Sequence, residues 1–289
     1  MSNSSTPSIP QISDELRHGI SVEYMLLGVF GGILNTLILT VLIQKIKKSS
    51  HTDVKLSAIV VITDLIVSSG LFIRSIVGLL PYHLLELDQK WCLFDFIFTA
   101  QFLIFSGYSL GVMSLERFFL ICLGIEFPFI FWVLLVAISW LPQIIYSFIN
   151  MSYPNIILVG RTKTACTMAA TGPGFGYFIL FTVFFFLSFF SVIIGYVGIM
   201  IVKFKQCIKQ INMNVPKEQV YKDLRTTGKF FILLYELTTG KKRTIEMDAV
   251  SNCMVSCSVI ANPLVLLYMN NEIREGFVTF IKKIKDRIF

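Results

Sequence analysis

Four of the long apolar runs in this 289-residue chain carry polar residues that hydrocarbon excludes. Asn35 sits in the first run, Asp64 in the second, Glu116 and Arg117 end the third, and Asn262-Pro263 lies deep in the last. An ionised side chain at a bilayer centre costs roughly 2.5–3.5 kcal/mol on insertion scales, so such residues turn toward a bundle interior. Each brings its own chemistry. The Asp64 carboxylate either hydrogen-bonds neighbouring helices or offers oxygen to a hard cation. Arg117 is either a headgroup anchor or, beside Glu116, one arm of an acid–base pair whose release is a two-state switch. Asn262-Pro263 interrupts a helical ladder, as a packing kink or as a hinge. Hydrolytic chemistry has no support: His18, His51 and His83 lie far apart with no Ser or Cys nucleophile arranged near them. Cys253 and Cys257 share a helix face, but no His or acidic residue accompanies them, which leaves them as packing residues.

The elements that must position these residues are membrane helices. The chain is 55% hydrophobic and 15% charged, with 27 Phe and a mean hydropathy of +0.73. A soluble domain of this length carries far more charge. Runs of ~20 apolar residues span the ~30 Å hydrocarbon core, and the sequence offers 23–44, 56–80, 93–122, 128–149, 175–202 and 248–269. The net charge of +7 is not spread as in a nucleic-acid binder. Lys45, Lys47 and Lys48 follow the first run, Lys203 to Lys229 follow the fifth, and Arg274 to Arg287 follow the last. Positive charge stays in the cytosol, so the N-terminus is outside, the C-terminus inside, and the number of crossings odd. The seventh crossing must come from 224–239, around Phe230–Tyr235, about 16 residues and weakly apolar. Residues 1–22 lack a basic segment before a short apolar core, so no cleavable signal peptide is expected and the first span serves as anchor. Asn3-Ser4-Ser5 matches the N-glycosylation pattern outside; Asn150-Met151-Ser152 matches it close to the membrane.

Cys92 and Arg117 stand 25 residues apart, about 37 Å of helix, one crossing with some overhang. The stretch from Cys92 through Ser106 to Glu116-Arg117-Phe118 resembles the third helix of rhodopsin-like (class A) G protein-coupled receptors. Gly32-Ile33-Leu34-Asn35, Leu56-Ser57 with Asp64-Leu65, Trp140, Tyr196 and Asn262-Pro263 resemble that family's other signatures in order, and Asn270–Phe277 resembles its short eighth helix. The resemblance covers about residues 24 to 280. It implies an all-α fold of seven transmembrane helices over 23–269 and an amphipathic helix over 270–289. It further implies a Cys92–Cys166 disulfide, a polar cavity of Asp64, Ser106, Ser258 and Asn262 that suits sodium, and a coupling face of Glu116, Arg117, Phe118, Tyr196, Asn262 and Pro263.

The partners so implied are a heterotrimeric G protein, membrane lipids and an extracellular ligand, at the plasma membrane. Thr99, Leu103 and Ser256 are the ligand-pocket residues. Thr99 stands where amine receptors carry an Asp, and Ser256 where light receptors carry a retinal lysine, so neither an amine nor retinal is expected. The chain also departs from the pattern. Ser188 stands where the family has a proline, no tyrosine follows Asn262-Pro263 at the usual spacing, and the sixth-helix Phe-x-x-x-Cys-Trp-x-Pro is missing. The second reading is therefore a receptor-derived membrane protein that does not signal, a scaffold or transporter-like chain. The tail 273–289 sets Ile273, Phe277, Phe280, Ile281, Ile284 and Ile288 against Lys282, Lys283, Lys285 and Arg287, the pattern of an interfacial helix over anionic lipid.

Overall fold

The computed structural model describes residues 14–48, 51–80, 85, 89–151, 153, 156–160, 162–212, 256–269 and 271–288. Asn3, the 224–239 segment and the outer part of the last predicted span, 248–255, lie outside the described residues. Within them the chain is helical save for one small hairpin. In order come α1 (Asp14–Lys48), α2 (Thr52–Leu79), α3 (Gln89–Leu123), α4 (Phe129–Met151), strands β1 (Ile157–Val159) and β2 (Cys166–Met168), α5 (Gly174–Asn212), α6 (Ser258–Met269) and α7 (Asn271–Ile288). Helices α1 to α5 are each long and apolar enough to cross a membrane, which makes this a multi-pass membrane protein.

Helix α1 starts at Asp14 rather than at 23, and its 35 residues extend for ~52 Å, well beyond the hydrocarbon core. A hydropathy window finds the apolar length and misses the overhang. Leu16, Ile20, Tyr24 and Leu27 pack on Val67 and Leu71 of α2 and Val259 of α6, which draws the helix outward past the apolar run. Helix α3 is one rod with wider π-type turns at Phe96–Gln101 and Phe119–Leu123; Gly124, at φ 67°, closes it in the left-handed conformation that glycine adopts freely.

The inner-half core joins Ile38 and Leu42 of α1, Val60 and Val61 of α2, Val112 and Met113 of α3, Trp132 of α4, and Leu266 of α6. Ile273 of α7 is fully buried in the same cluster. Gly276 lies so near α1 that a Cβ there would come within 2.9 Å of Val41, so α7 is braced against the first helix. At the outer end, β1 and β2 pair antiparallel with Val159 opposite Cys166, and they lie over α3 in a cluster of Val77, Cys92, Phe96, Ile157 and Tyr177.

Candidate functional site

The centre of the bundle holds a polar joint between three helices. Asp64 of α2 and Ser106 of α3 are fully buried, and Asn262 of α6 nearly so. The Ser106 hydroxyl donates to Asp64 Oδ1. Asn262 Nδ2 donates to the same oxygen at 3.3 Å and to Ser106 Oγ at 3.1 Å. Asp64 Oδ2 has no hydrogen-bond partner among the described residues. One free carboxylate oxygen beside a hydroxyl is oxygen chemistry of a single negative charge, which suits a hard monovalent cation. Ser258 opens α6 one turn before Asn262 and makes none of the three bonds of the joint. Asn35, fully buried, extends the joint to α1: its Nδ2 donates to Gly31 O at 2.9 Å and across to Val259 O of α6 at 3.1 Å. That second bond reaches Val259 O, four residues before Pro263, the carbonyl that the proline's missing N–H leaves without its helical donor.

Glu116 and Arg117 stand at the inner end of α3, both largely buried. They do not pair with each other. Glu116 Oε2 and Arg117 Nη1 have no hydrogen-bond partner among the described residues. Phe118 packs on α5 at Gly198, and Tyr196 is buried nearby on α5. Of the residues the sequence suggests for a ligand pocket, Thr99 is fully buried with its hydroxyl against Gly70 of α2, Leu103 packs half-buried on the α1–α2–α6 cluster, and Ser256 is buried at the start of the described segment 256–269.

The Cys92–Cys166 disulfide is present, with Cα atoms 5.4 Å apart. Beside it lies an ion pair that sequence reasoning missed. Arg74 of α2 donates from Nε to Asp95 Oδ1 at 2.6 Å and from Nη2 to Asp95 Oδ2 at 3.0 Å, with both side chains 5% exposed. Asp95 Oδ2 also accepts from the Cys166 backbone N–H at 2.9 Å, and the guanidinium lies 5.3 Å from the Tyr24 ring. One carboxylate thus ties α2, α3 and the hairpin beside the covalent staple. A void of about 10 Å³ borders the pair, lined by Gly70, Trp91 and Phe94 among others, room for no more than a water. The signal was readable: Arg74 and Asp95 interrupt apolar runs as plainly as Asp64 does.

A second missed feature is the polar stripe on α4. Ser139, Gln143, Ser147 and Asn150 recur at helical spacing and are all buried, while Ile138, Leu141, Ile145 and Phe148 face outward. Gln143 Nε2 donates to Tyr108 OH at 2.8 Å, and Gln101 Nε2 of α3 donates to Ser147 Oγ at 3.1 Å. In lipid such groups must find partners inside the protein; Gln143 and Ser147 hold α4 to α3, Asn150 reaches Met168 of β2 and Ser139 bonds back to Val136 O. No protein-family model matches this chain, and no curated protein matches it either.

Proposed function

We propose that this chain is a seven-helix receptor of the rhodopsin-like class, which passes an extracellular signal to a heterotrimeric G protein at the plasma membrane. The observation that carries the reading is the buried joint of Asp64, Ser106 and Asn262, extended to α1 by Asn35. Four helices meet there through carboxylate, hydroxyl and amide groups, between an end stapled by Cys92–Cys166 and an end bearing Arg117. A ligand that prefers one arrangement of the joint shifts the population of that arrangement. Arg117 Nη1 has no hydrogen-bond partner among the described residues, and in this reading the guanidinium meets a partner's carbonyl or carboxylate groups. Sodium is the ion that the joint suits, held by Asp64 with Ser106 and, after a turn of its hydroxyl, Ser258.

The sequence offers only about 16 weakly apolar residues at 224–239 for the sixth crossing, so ligand-driven coupling is expected to be weak. The test measures G protein activation in a heterologous cell over a broad ligand panel, for the chain itself and for a version carrying a full-length sixth helix from a related receptor. The graft should gain ligand-dependent activation, and Arg117→Ala should remove it while surface expression persists. Silence from the graft across the panel, or activation that survives Arg117→Ala, overturns the reading. Tags at both ends test the topology: a C-terminal tag stained on intact cells rejects it.

A further inference from the structure

Helix α4 carries two seams on opposite faces. One is the buried row that meets α3 through Gln143 and Ser147. The other is Leu134, Ile138, Leu141, Ile145 and Phe148, each between 52% and 64% exposed. Its steps are four, three, four and three residues, the heptad spacing that keeps a seam straight along a helix. No other residue between Leu134 and Phe148 is exposed, so the seam is a narrow ridge. Helix α5 differs: it exposes adjacent pairs such as Phe185-Phe186 and Phe189-Phe190, a broad arc without a seam. Helix α4 has no charged residue from Phe129 to Met151 that would repel an identical helix. Pro142 flanks the ridge without joining it, and the ridge is equally exposed on both sides of it.

Apolar area alone drives nothing in lipid, because acyl chains are as apolar as leucine; fit decides. The ridge has the residue types for fit. Ile138 and Ile145 alternate with Leu134, Leu141 and Phe148. In heptad terms isoleucine holds a and leucine holds d, the combination that favours two parallel strands over three or four. Isoleucine is also stiff at χ1, so interdigitation freezes little motion. Copies inserted in one bilayer share an orientation, so their α4 helices run parallel, and a two-fold axis along the membrane normal sets each ridge residue against its own counterpart. Each copy offers on the order of 500 Å² along the seam, so a pair covers about 1,000 Å², the size at which a specific interface begins. We propose that a second copy of this chain covers the ridge, with α4 paired to α4 through Ile138, Leu141 and Ile145. The inference rests on the membrane assignment of α4 and not on the receptor reading.

Crosslinking between copies tests it. In the full chain in native membranes, Cys92–Cys166 is kept and the other four cysteines are replaced by serine. Single cysteines are then introduced as Ile138→Cys, Leu141→Cys or Ile145→Cys. Ile33→Cys on α1 and Leu187→Cys on α5, at 56% and 58% exposure, report random collision. Under mild oxidation the ridge cysteines should link copies several times faster than the two controls. Equal rates mean collision only and overturn the pairing. Energy transfer between donor- and acceptor-labelled copies in lipid vesicles then reads the equilibrium. Ile138→Ala with Ile145→Ala removes on the order of ten carbon contacts across the seam and should weaken pairing roughly tenfold. Exchanging the types, by Ile138→Leu, Leu141→Ile and Ile145→Leu together, conserves apolarity and volume. It should weaken pairing as well, because leucine at a and isoleucine at d favours larger assemblies. All these side chains face outward, so the variants leave the bundle core intact. Either variant pairing as tightly as the unmodified chain overturns the proposal, and so does a chain that stays monomeric at every lipid dilution.

Discussion

Neutralising Asp95 should damage this protein more than its depth in the structure suggests. The carboxylate accepts two bonds from Arg74 and one from the Cys166 N–H. Asp95→Asn keeps the shape and removes the charge, leaving the Arg74 guanidinium buried without its counter-ion. Breaking a buried pair from one side costs about 3–5 kcal/mol. At about 2 °C of midpoint per kcal/mol for a chain of this size, the thermal midpoint should fall by ~6–10 °C. Asp95→Ala also orphans the Cys166 N–H, which adds about 1–3 kcal/mol and ~2–6 °C more. The double replacement Arg74→Met with Asp95→Leu should recover most of the loss, because well-packed apolar residues replace a buried ion pair at little cost. The assay is thermal unfolding of the purified protein in lipid nanodiscs, followed by tryptophan fluorescence. A drop under ~2 °C for Asp95→Asn, or a double variant no more stable than the single, would show that water already screens the pair and would refute the reasoning.

Three further outcomes follow from the geometry. Removing the outer staple by Cys92→Ala should cost ~2–5 kcal/mol and lower surface expression; mass-shift alkylation of the folded, non-reduced protein should find neither Cys92 nor Cys166 free. If the central joint takes sodium, exchanging choline for sodium at constant ionic strength should raise the wild-type midpoint by ~3 °C when sodium is at ten times its dissociation constant, and Asp64→Asn should abolish that difference. Gly28→Ala places a Cβ 2.8 Å from the Phe72 backbone nitrogen and should cost about 1–3 kcal/mol as α1 and α2 are pushed apart. Its control, Gly32→Ala, meets nothing closer than Ser68 Cβ at 3.9 Å and should leave unfolding unchanged.

The long helices were legible because apolar length is a one-dimensional property, and α1 to α5 follow the apolar runs closely. Their ends were less so: the outer overhang of α1 depends on where Ile20 and Tyr24 find neighbours, which no window along the chain reports. Asp64, Ser106 and Asn262 stood out as polar residues in apolar surroundings, and the structure brings them together. Arg74 and Asp95 carried the same signal, but their pairing depends on how far α2 and α3 overlap, and 21 residues of separation do not encode that. The hairpin was invisible because three-residue strands show no alternation, and the π-type turns because one extra residue per turn barely disturbs helical periodicity. Glu116 and Arg117 were read as a neutralising pair from adjacency alone; one polar atom of each, Glu116 Oε2 and Arg117 Nη1, has no hydrogen-bond partner among the described residues.

The brace between α7 and α1 couples the first helix to whatever the far end of α7 meets. Ile273 and Gly276 fix α7 to α1 near Val41, while Lys282, Lys283 and Lys285 project outward farther along α7. An anionic surface attracts each of those lysines with about 1 kcal/mol, and they act at the far end of a rigid arm pivoted on α1. Any force on that arm would pass through Ile273 and Gly276 to α1, the helix whose Asn35 amide reaches α6.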